Sequence, residues 1–269
     1  MDEGFIGSIF KVESDKEYPL KSLLKKGSID EELDRESGVV KDVMVLANNQ
    51  LVVFHNNNFV FYDQNYNVVD RHDSICGVNM VWNGITYNRD DKCFYTTAWR
   101  DSHQIHMVDL DFNLIKSITF KGNYGSKCLQ GISYKKEKVY VCDTKYRRID
   151  VFDKKLRFLK YLQLNFLPIR LKVSDSIVFV GSNDFINFYH LKNLKFYRKF
   201  TLSNYFAFTE INSCFYVHSN LGSIFCFNGK GELNEEIFSN GVNSFFFGRI
   251  DNCLLSVDLN KQVNKFLLE

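Results

Sequence analysis

Short apolar segments alternate with polar segments along almost the whole chain. In each recurring unit, one apolar segment is followed by a polar break and then by a second apolar segment that ends at an acidic or polar residue. These end positions are Asp63, Asp109, Asp153, His190 and Asn228, with successive spacings of 46, 44, 37 and 38 residues. Segments this short, rich in aromatic and β-branched residues, predict β-strands. A period of about 40 to 45 residues with four strands is typical of a β-propeller blade.

The pattern predicts an all-β fold, a six-bladed propeller formed by residues 1–269 as a single domain. Six blade units are expected within residues 38–269. They begin near Val40, Gly84, Gly131, Ile169, Tyr205 and Val242. The third unit shows its strands most clearly, and we assign them to 131–134, 138–143, 148–153 and 158–164.

The last unit is too short to contain an outer strand, so we expect residues 1–27 to close the ring. The string Gly-Ser-Ile-Phe at 7–10 is repeated at 222–225, inside a predicted blade strand. Residues 18–24 are the candidate closing strand. Residues 28–36 are predicted to be a short helical linker, because Ser28 and Glu31 have capping-box spacing.

Composition adds a reducing, intracellular setting to this picture. Apolar residues make up 45% of the chain and aromatic residues 16%, with only two prolines. The seven cysteines lie mostly within apolar strands and are expected to be buried thiols rather than disulfides. No signal-peptide pattern or bilayer-length apolar run is present, so we expect a cytoplasmic protein without membrane partners.

The third unit resembles an NHL repeat. The resemblance rests on a glycine–isoleucine pair, a Val-Tyr-Val strand ending in aspartate, and an Arg-Ile strand ending in Val-Phe-Asp. In this chain these are residues 131–132, 139–143 and 148–153. The second unit keeps the glycine–isoleucine pair but has Gln104 in place of Arg148 and Thr97 in place of Asp143. The resemblance implies a propeller of the kind that ends tripartite-motif ubiquitin ligases, where this domain binds RNA or protein partners.

Catalytic and metal-binding patterns are not evident. His103 and His106 are three apart on a predicted strand and would point to opposite faces. Some propeller hydrolases and lyases hold a metal in the central channel, but the channel positions here carry amides: Asn83, Gln130 and Asn243. There is no GxSxG, Walker A or GxGxxG motif. We therefore expect no enzymatic activity, no metal and no cofactor, with a channel metal enzyme as the least favoured alternative.

Charge and aromatic residues indicate a binding surface on the loops of the second and third units. Residues 121–200 hold 18 Lys and Arg against 6 Asp and Glu, although the whole chain has a net charge of only +2. The candidate contact residues are Trp99, Arg100, Tyr124, Lys127, Lys145, Tyr146 and Arg147. Such a mixture is typical of protein hot spots and also of surfaces that bind single-stranded RNA.

Asp143 and Arg148 enclose the loop that carries three of these residues, and we expect them to form a structural pair. The favoured hypothesis is a non-catalytic scaffold that recognises protein partners through this loop face. RNA binding through the same face is the alternative. Several turn lysines, among them Lys136, Lys138 and Lys192, are predicted to lie on the opposite face, which weakens the RNA hypothesis.

Overall fold

The computed structural model describes most of the chain from residue 27 onward. The described ranges are 27–28, 40–46, 50–55, 58–63, 67–72, 81–99, 103–120, 129–202, 205–211, 214–219, 223–228, 230–238, 244–250, 253–258 and 262–267. The predicted closing strand at 18–24 and the predicted linker from residue 29 onward lie outside them.

Within these ranges, all regular structure is β, in 24 strands. They are β1 (Gly27–Ser28), β2 (Val40–Val45), β3 (Leu51–His55), β4 (Phe59–Tyr62), β5 (Val68–His72), β6 (Val81–Asn88), β7 (Cys93–Trp99), β8 (His103–Val108), β9 (Leu114–Phe120), β10 (Leu129–Lys135), β11 (Lys138–Asp143), β12 (Arg148–Asp153), β13 (Phe158–Gln163), β14 (Arg170–Val173), β15 (Ile177–Gly181), β16 (Phe185–His190), β17 (Phe196–Thr201), β18 (Tyr205–Ile211), β19 (Cys214–Ser219), β20 (Ser223–Phe227), β21 (Leu233–Phe238), β22 (Ser244–Ile250), β23 (Cys253–Asp258) and β24 (Gln262–Leu267).

The described strands form six antiparallel sheets of four strands each. Sheets 1 to 5 are consecutive meanders: β2 to β5, β6 to β9, β10 to β13, β14 to β17 and β18 to β21. Sheet 6 contains β22, β23 and β24, with β1 paired to β24 through Gly27 opposite Val263. The first strand of each sheet contacts the first strand of the next, and β22 contacts β2. The prediction of an all-β propeller is therefore confirmed.

Apolar side chains on both faces of the middle strands explain why these sheets stack. Phe94 and Val108 of sheet 2 pack with sheet 1, whereas Tyr95 and Ile105 of the same strands pack with sheet 3. Further cores lie between sheets 3 and 4 and between sheets 4 and 5. Because a strand presents alternate residues to opposite faces, each middle strand contributes to two cores.

The Asp or Asn residue that ends a repeating unit caps the turn before the outer strand with its side chain, whereas in sheet 4 Asn193 does so in place of His190. Asp109 Oδ1 accepts hydrogen bonds from the backbone N–H groups of Asp111 and Asn113. Asp153 does the same for Lys155 and Arg157, and Asn228 for Lys230 and Glu232. The periodic signal in the sequence is therefore a repeated side-chain-capped turn.

Two local expectations need correction. Ser28 lies in β1, not in a helical linker, because it pairs with Gln262 on the edge of sheet 6. The residue of sheet 2 that corresponds to Asp143 is Ala98, not Thr97. Strand register decides this second point: Ala98 lies opposite Gln104 just as Asp143 lies opposite Arg148.

Candidate interaction surface

The turn at 144–147 projects from sheet 3 between β11 and β12, and hydrogen bonds fix it from several directions. The Tyr146 N–H donates to Asp143 Oδ1 at 3.1 Å. The Leu164 N–H donates to the Arg147 carbonyl at 2.7 Å, and Gln163 Nε2 donates to the carbonyls of both Tyr146 and Arg147. The outer strand thus holds the turn in one conformation, although the turn itself is exposed.

A buried charge cluster supports this turn from below. Asp143 and Arg148 face each other across β11 and β12, with 3.3 Å between Arg148 Nη2 and Asp143 Oδ2. The same guanidinium lies 2.8 Å from Asp150 Oδ1, measured from Nε. Both carboxylates are almost fully buried, whereas Arg148 keeps a quarter of its side chain exposed. One cation therefore serves two buried carboxylates.

Burial outweighs the cation in setting the pKa of both carboxyl groups. Burial raises the pKa of Asp150 to about 6, with Arg148 opposing the rise and Asp143 adding to it. Burial also raises the pKa of Asp143, against the lowering effects of the Tyr146 N–H, Arg148 and His103. His103 contributes to this cluster from sheet 2, on the strand face that packs against sheet 3.

Aromatic rings cover the exposed side of the guanidinium. The Arg148 Cζ atom lies 5.0 Å from the Tyr146 ring centroid and 5.4 Å from that of Tyr161. The Lys145 Nζ atom lies 5.4 Å from the Tyr146 ring. Cations at these distances are attracted to the negative face of the ring. Tyr146 is 45% exposed, so its ring is held by cations and still faces solvent.

The structure places only part of the predicted contact set. Lys145, Tyr146 and Arg147 lie together on the turn and are all exposed. Trp99 is the last residue of β7, opposite His103. Arg100, Tyr124 and Lys127 lie outside the described residues. Tyr161 and Gln163 were not predicted, although Tyr161 contacts Arg148 and Gln163 donates hydrogen bonds to the turn. Their alternation along the outer strand, which puts both side chains on one face, is the sequence pattern that could have indicated them.

The two histidines considered as a metal pair are separated by the strand between them. His103 lies on the face of β8 that packs toward sheet 3, and His106 lies on the face toward sheet 1. Burial lowers the pKa of His106 to about 4. In the described ranges no group of three or more potential metal ligands is found. At the channel, Asn83 Nδ2 donates to the Leu129 carbonyl at 2.7 Å, so it joins sheets 2 and 3.

The described cysteines are free thiols that are buried or half-buried. Cys93, Cys142 and Cys226 are buried and Cys214 is half-buried, all as free thiols. Burial raises the pKa of both Cys93 and Cys142. None of the described residues belongs to a helix long and apolar enough to cross a membrane.

Comparison with known proteins supports the fold without naming a family. No family model matches the chain, and no curated protein matches it. A solved protein of unknown function from Bacteroides caccae superposes with a TM-score of 0.59 at 9% identity, covering 76% of this chain and 82% of its own. BamB from Moraxella catarrhalis superposes with a TM-score of 0.55 at 13% identity, covering 84% of this chain and 71% of its own. At such low identity the likeness shows the propeller fold alone.

Proposed function

We propose that this protein is a cytoplasmic, non-catalytic recognition scaffold that binds a protein partner through the loop face of sheets 2 and 3. In this proposal the six sheets are the six blades of an NHL-like ring, sealed where Gly27–Ser28 pairs with β24. The proposed contact residues remain Trp99, Arg100, Tyr124, Lys127, Lys145, Tyr146 and Arg147. Membership of a ubiquitin-ligase assembly is part of the same proposal and rests on the NHL resemblance.

The observation that supports the proposal most directly is that the Tyr146 ring is fixed in place and still partly exposed to solvent. A half-exposed aromatic side chain held in one position loses little conformational entropy on binding, which is the property that makes tyrosine effective at interfaces. Here the backbone beside the ring is fixed by Asp143 and Gln163, and the ring is in contact with the cations of Lys145 and Arg148.

Quantitative affinity enrichment tests this proposal. Tagged wild-type protein should enrich specific partners, and Tyr146→Ala should lower their recovery by about tenfold or more, as expected for a hot-spot residue. The matched control is Tyr197→Ala, which removes a similarly exposed tyrosine from the outer strand of sheet 4. If both variants recover the same proteins in the same amounts as wild type, this face is not the binding surface.

RNA binding is the second candidate, because Lys145 and Arg147 flank the exposed ring in an arrangement suited to phosphate contacts and base stacking. Binding of a random single-stranded RNA pool should then weaken as salt rises. If both residues contact phosphates, replacing them with alanine should reduce the slope of log K against log salt by about 1.4, or about 0.7 per contact. An unchanged slope, or no binding at low salt, excludes this role.

A further inference from the structure

A groove lies between sheets 3 and 4, on the opposite face from the proposed contact surface. Its volume is about 740 Å³, within the range of small-ligand sites. The residues that matter for its chemistry are Lys136, Lys138, Tyr140, Ser176, Leu191 and Lys192. We refer to it as the lysine groove.

The turns around the groove are fixed to one another. The Leu191 N–H donates to the Ser176 carbonyl at 2.8 Å, which ties the outer turn of sheet 4 to its inner turn. Lys136 Nζ donates to the Asp175 carbonyl at 2.7 Å, joining sheet 3 to sheet 4. The walls of the groove are therefore formed by backbone that is held in place.

The positive charge of the lysine groove exceeds what its one carboxylate can neutralise. Asp175 lies within 4 Å of two ammonium groups, at 3.3 Å from Lys135 and 3.8 Å from Lys136. Among the described residues, neither Lys138 nor Lys192 forms an ion pair, and both are exposed. Lys138 and Lys192 are therefore two ammonium groups beside the groove that no described carboxylate neutralises.

Tyr140 supplies a hydrogen-bond donor to the floor of the groove. Its side chain is packed in the core between sheets 3 and 4, with only 3% of the residue exposed, yet it contributes to the groove lining. Its hydroxyl forms no hydrogen bond with a described residue and is not among their fully buried unpaired atoms, so it opens to the groove. The Tyr95 hydroxyl, by contrast, donates to the Lys154 carbonyl at 2.7 Å. A tyrosine hydroxyl at the floor of a groove can donate a hydrogen bond to a ligand bound there. Burial also raises the pKa of Tyr140 to about 12, so the hydroxyl keeps its proton and can donate.

We propose that the lysine groove binds the phosphate group of a phosphorylated peptide segment, with the Tyr140 hydroxyl donating to it and Lys138 and Lys192 neutralising it. A phosphate monoester carries a charge of about −1.5 to −2 at pH 7, which matches two uncompensated lysines. A nucleic-acid phosphate carries a single charge, and so does a carboxylate side chain. Leu191 offers an apolar contact for a residue next to the phosphorylated one.

The test measures binding of fluorescent nonamer peptide pools with a central phosphoserine, and of the same pools with serine or glutamate at the centre. Wild-type protein should bind the phosphoserine pool, and the serine pool should bind at least about tenfold more weakly, since charge-assisted hydrogen bonds are lost. Tyr140→Phe, which keeps the ring in the core, should weaken binding by about tenfold. Lys138→Gln combined with Lys192→Gln should weaken it at least as much.

Matched control variants distinguish an effect of the lysine groove from an effect of the net charge and from an effect of the opposite face. Lys155→Gln combined with Lys230→Gln removes the same charge from turns of sheets 3 and 5 and should leave binding unchanged. Tyr146→Ala should also leave it unchanged, so this site and the proposed function can fail independently. The proposal is wrong if the serine and phosphoserine pools bind equally, if Tyr140→Phe binds like wild type while remaining folded, or if a twelve-nucleotide poly(U) RNA binds more tightly than the phosphopeptides.

Discussion

Sheets 2 and 3 have the same strand register but fill equivalent positions with different chemistry. Ile85, Thr96 and His106 lie in one row across sheet 2, where Ile132, Val141 and Asp150 lie across sheet 3. Sheet 2 thus buries a neutral imidazole where sheet 3 buries a carboxylate. Two positions further along the strands, Gln104 corresponds to Arg148, and Ala98 to Asp143.

The comparison shows that a sheet does not need the buried charge cluster in order to stack between its neighbours. Apolar side chains on both faces are enough to stack sheet 2 between its neighbours. The cluster of sheet 3 is an addition, and its evident effect is to hold the turn that presents Tyr146. Burying charges costs desolvation energy, so the presence of this cluster is consistent with selection for an ordered turn.

The largest difference in stability between equivalent variants of sheets 2 and 3 is expected when Arg148, the cation of sheet 3, is replaced. Arg148→Met should destabilise the protein by about 3 kcal/mol at pH 8, because it leaves two buried carboxylates without the cation that they share. The loss should shrink as the pH falls, since those carboxyl groups then bind protons in the folded state. Chemical denaturation at several pH values measures this.

Gln104→Met makes the equivalent change in sheet 2 and serves as the control, with an expected loss below about 1 kcal/mol. Equal losses in the two variants, or a loss from Arg148→Met that does not vary with pH, would contradict the role assigned to the cluster.

The next largest difference concerns the inner-strand glycines. A Cβ atom on Gly131 would lie 2.7 Å from the Leu171 nitrogen and 3.0 Å from the Arg170 Cα, both backbone atoms of sheet 4. On Gly84 it would lie 3.0 Å from the Gln130 carbonyl oxygen. We expect Gly131→Ala to cost about 3 kcal/mol and Gly84→Ala about 1 kcal/mol in the free energy of unfolding.

Thermal and urea denaturation of the two alanine variants measures this order. The reverse order would show that sheets 3 and 4 can separate more easily than the spacing of their inner strands implies.

The smallest expected effects are on the pH dependence of the free energy of unfolding. Asp150 and His106 should change it in opposite directions. Asp150 has a folded pKa of about 6, above its ordinary value of 3.8, so its contribution to stability falls as pH rises from 4 to 6. His106 has a folded pKa of about 4, below its ordinary value of 6.5, so its contribution rises between pH 4 and 6.5. Relative to wild type, Asp150→Asn should therefore gain stability as pH rises, and His106→Gln should lose it.

Each slope should amount to on the order of 2 kcal/mol over this pH range, given 1.36 kcal/mol for each pKa unit. Urea denaturation from pH 4 to pH 7 compares the three proteins directly. A slope near zero in either variant would mean that its group titrates alike in the folded and unfolded protein, and slopes of the same sign would mean that one of the two pKa shifts has the opposite direction.

Much of the fold was readable from the sequence because each strand carries its own apolar pattern. The predicted strands at 138–143 and 148–153 match β11 and β12, and the outer strand differs only at its last residue. The turn between β6 and β7 is longer than the one between β10 and β11, so a count along the chain does not identify the residue equivalent to Asp143. Only strand pairing shows that Ala98 is the equivalent residue.

The candidate site was readable only in part. Lys145, Tyr146 and Arg147 were identified by composition, and Asp143 and Arg148 by their spacing. The contributions of Asp150, Tyr161 and His103 were not, because they come from separate strands and, for His103, from another sheet. The Tyr140 hydroxyl, which has no partner among the described residues, is likewise not recognisable in a strand whose pattern is that of ordinary core.

The sequence by itself determined the strands, their repeat and the polar turn residues, because these depend on alternation and on hydrogen bonds between near neighbours in the chain. The tertiary structure decided which charges share a partner, which hydroxyl lacks one and where the lysines gather beside a groove. Those properties depend on burial and on distances between sheets, and stacking sets both.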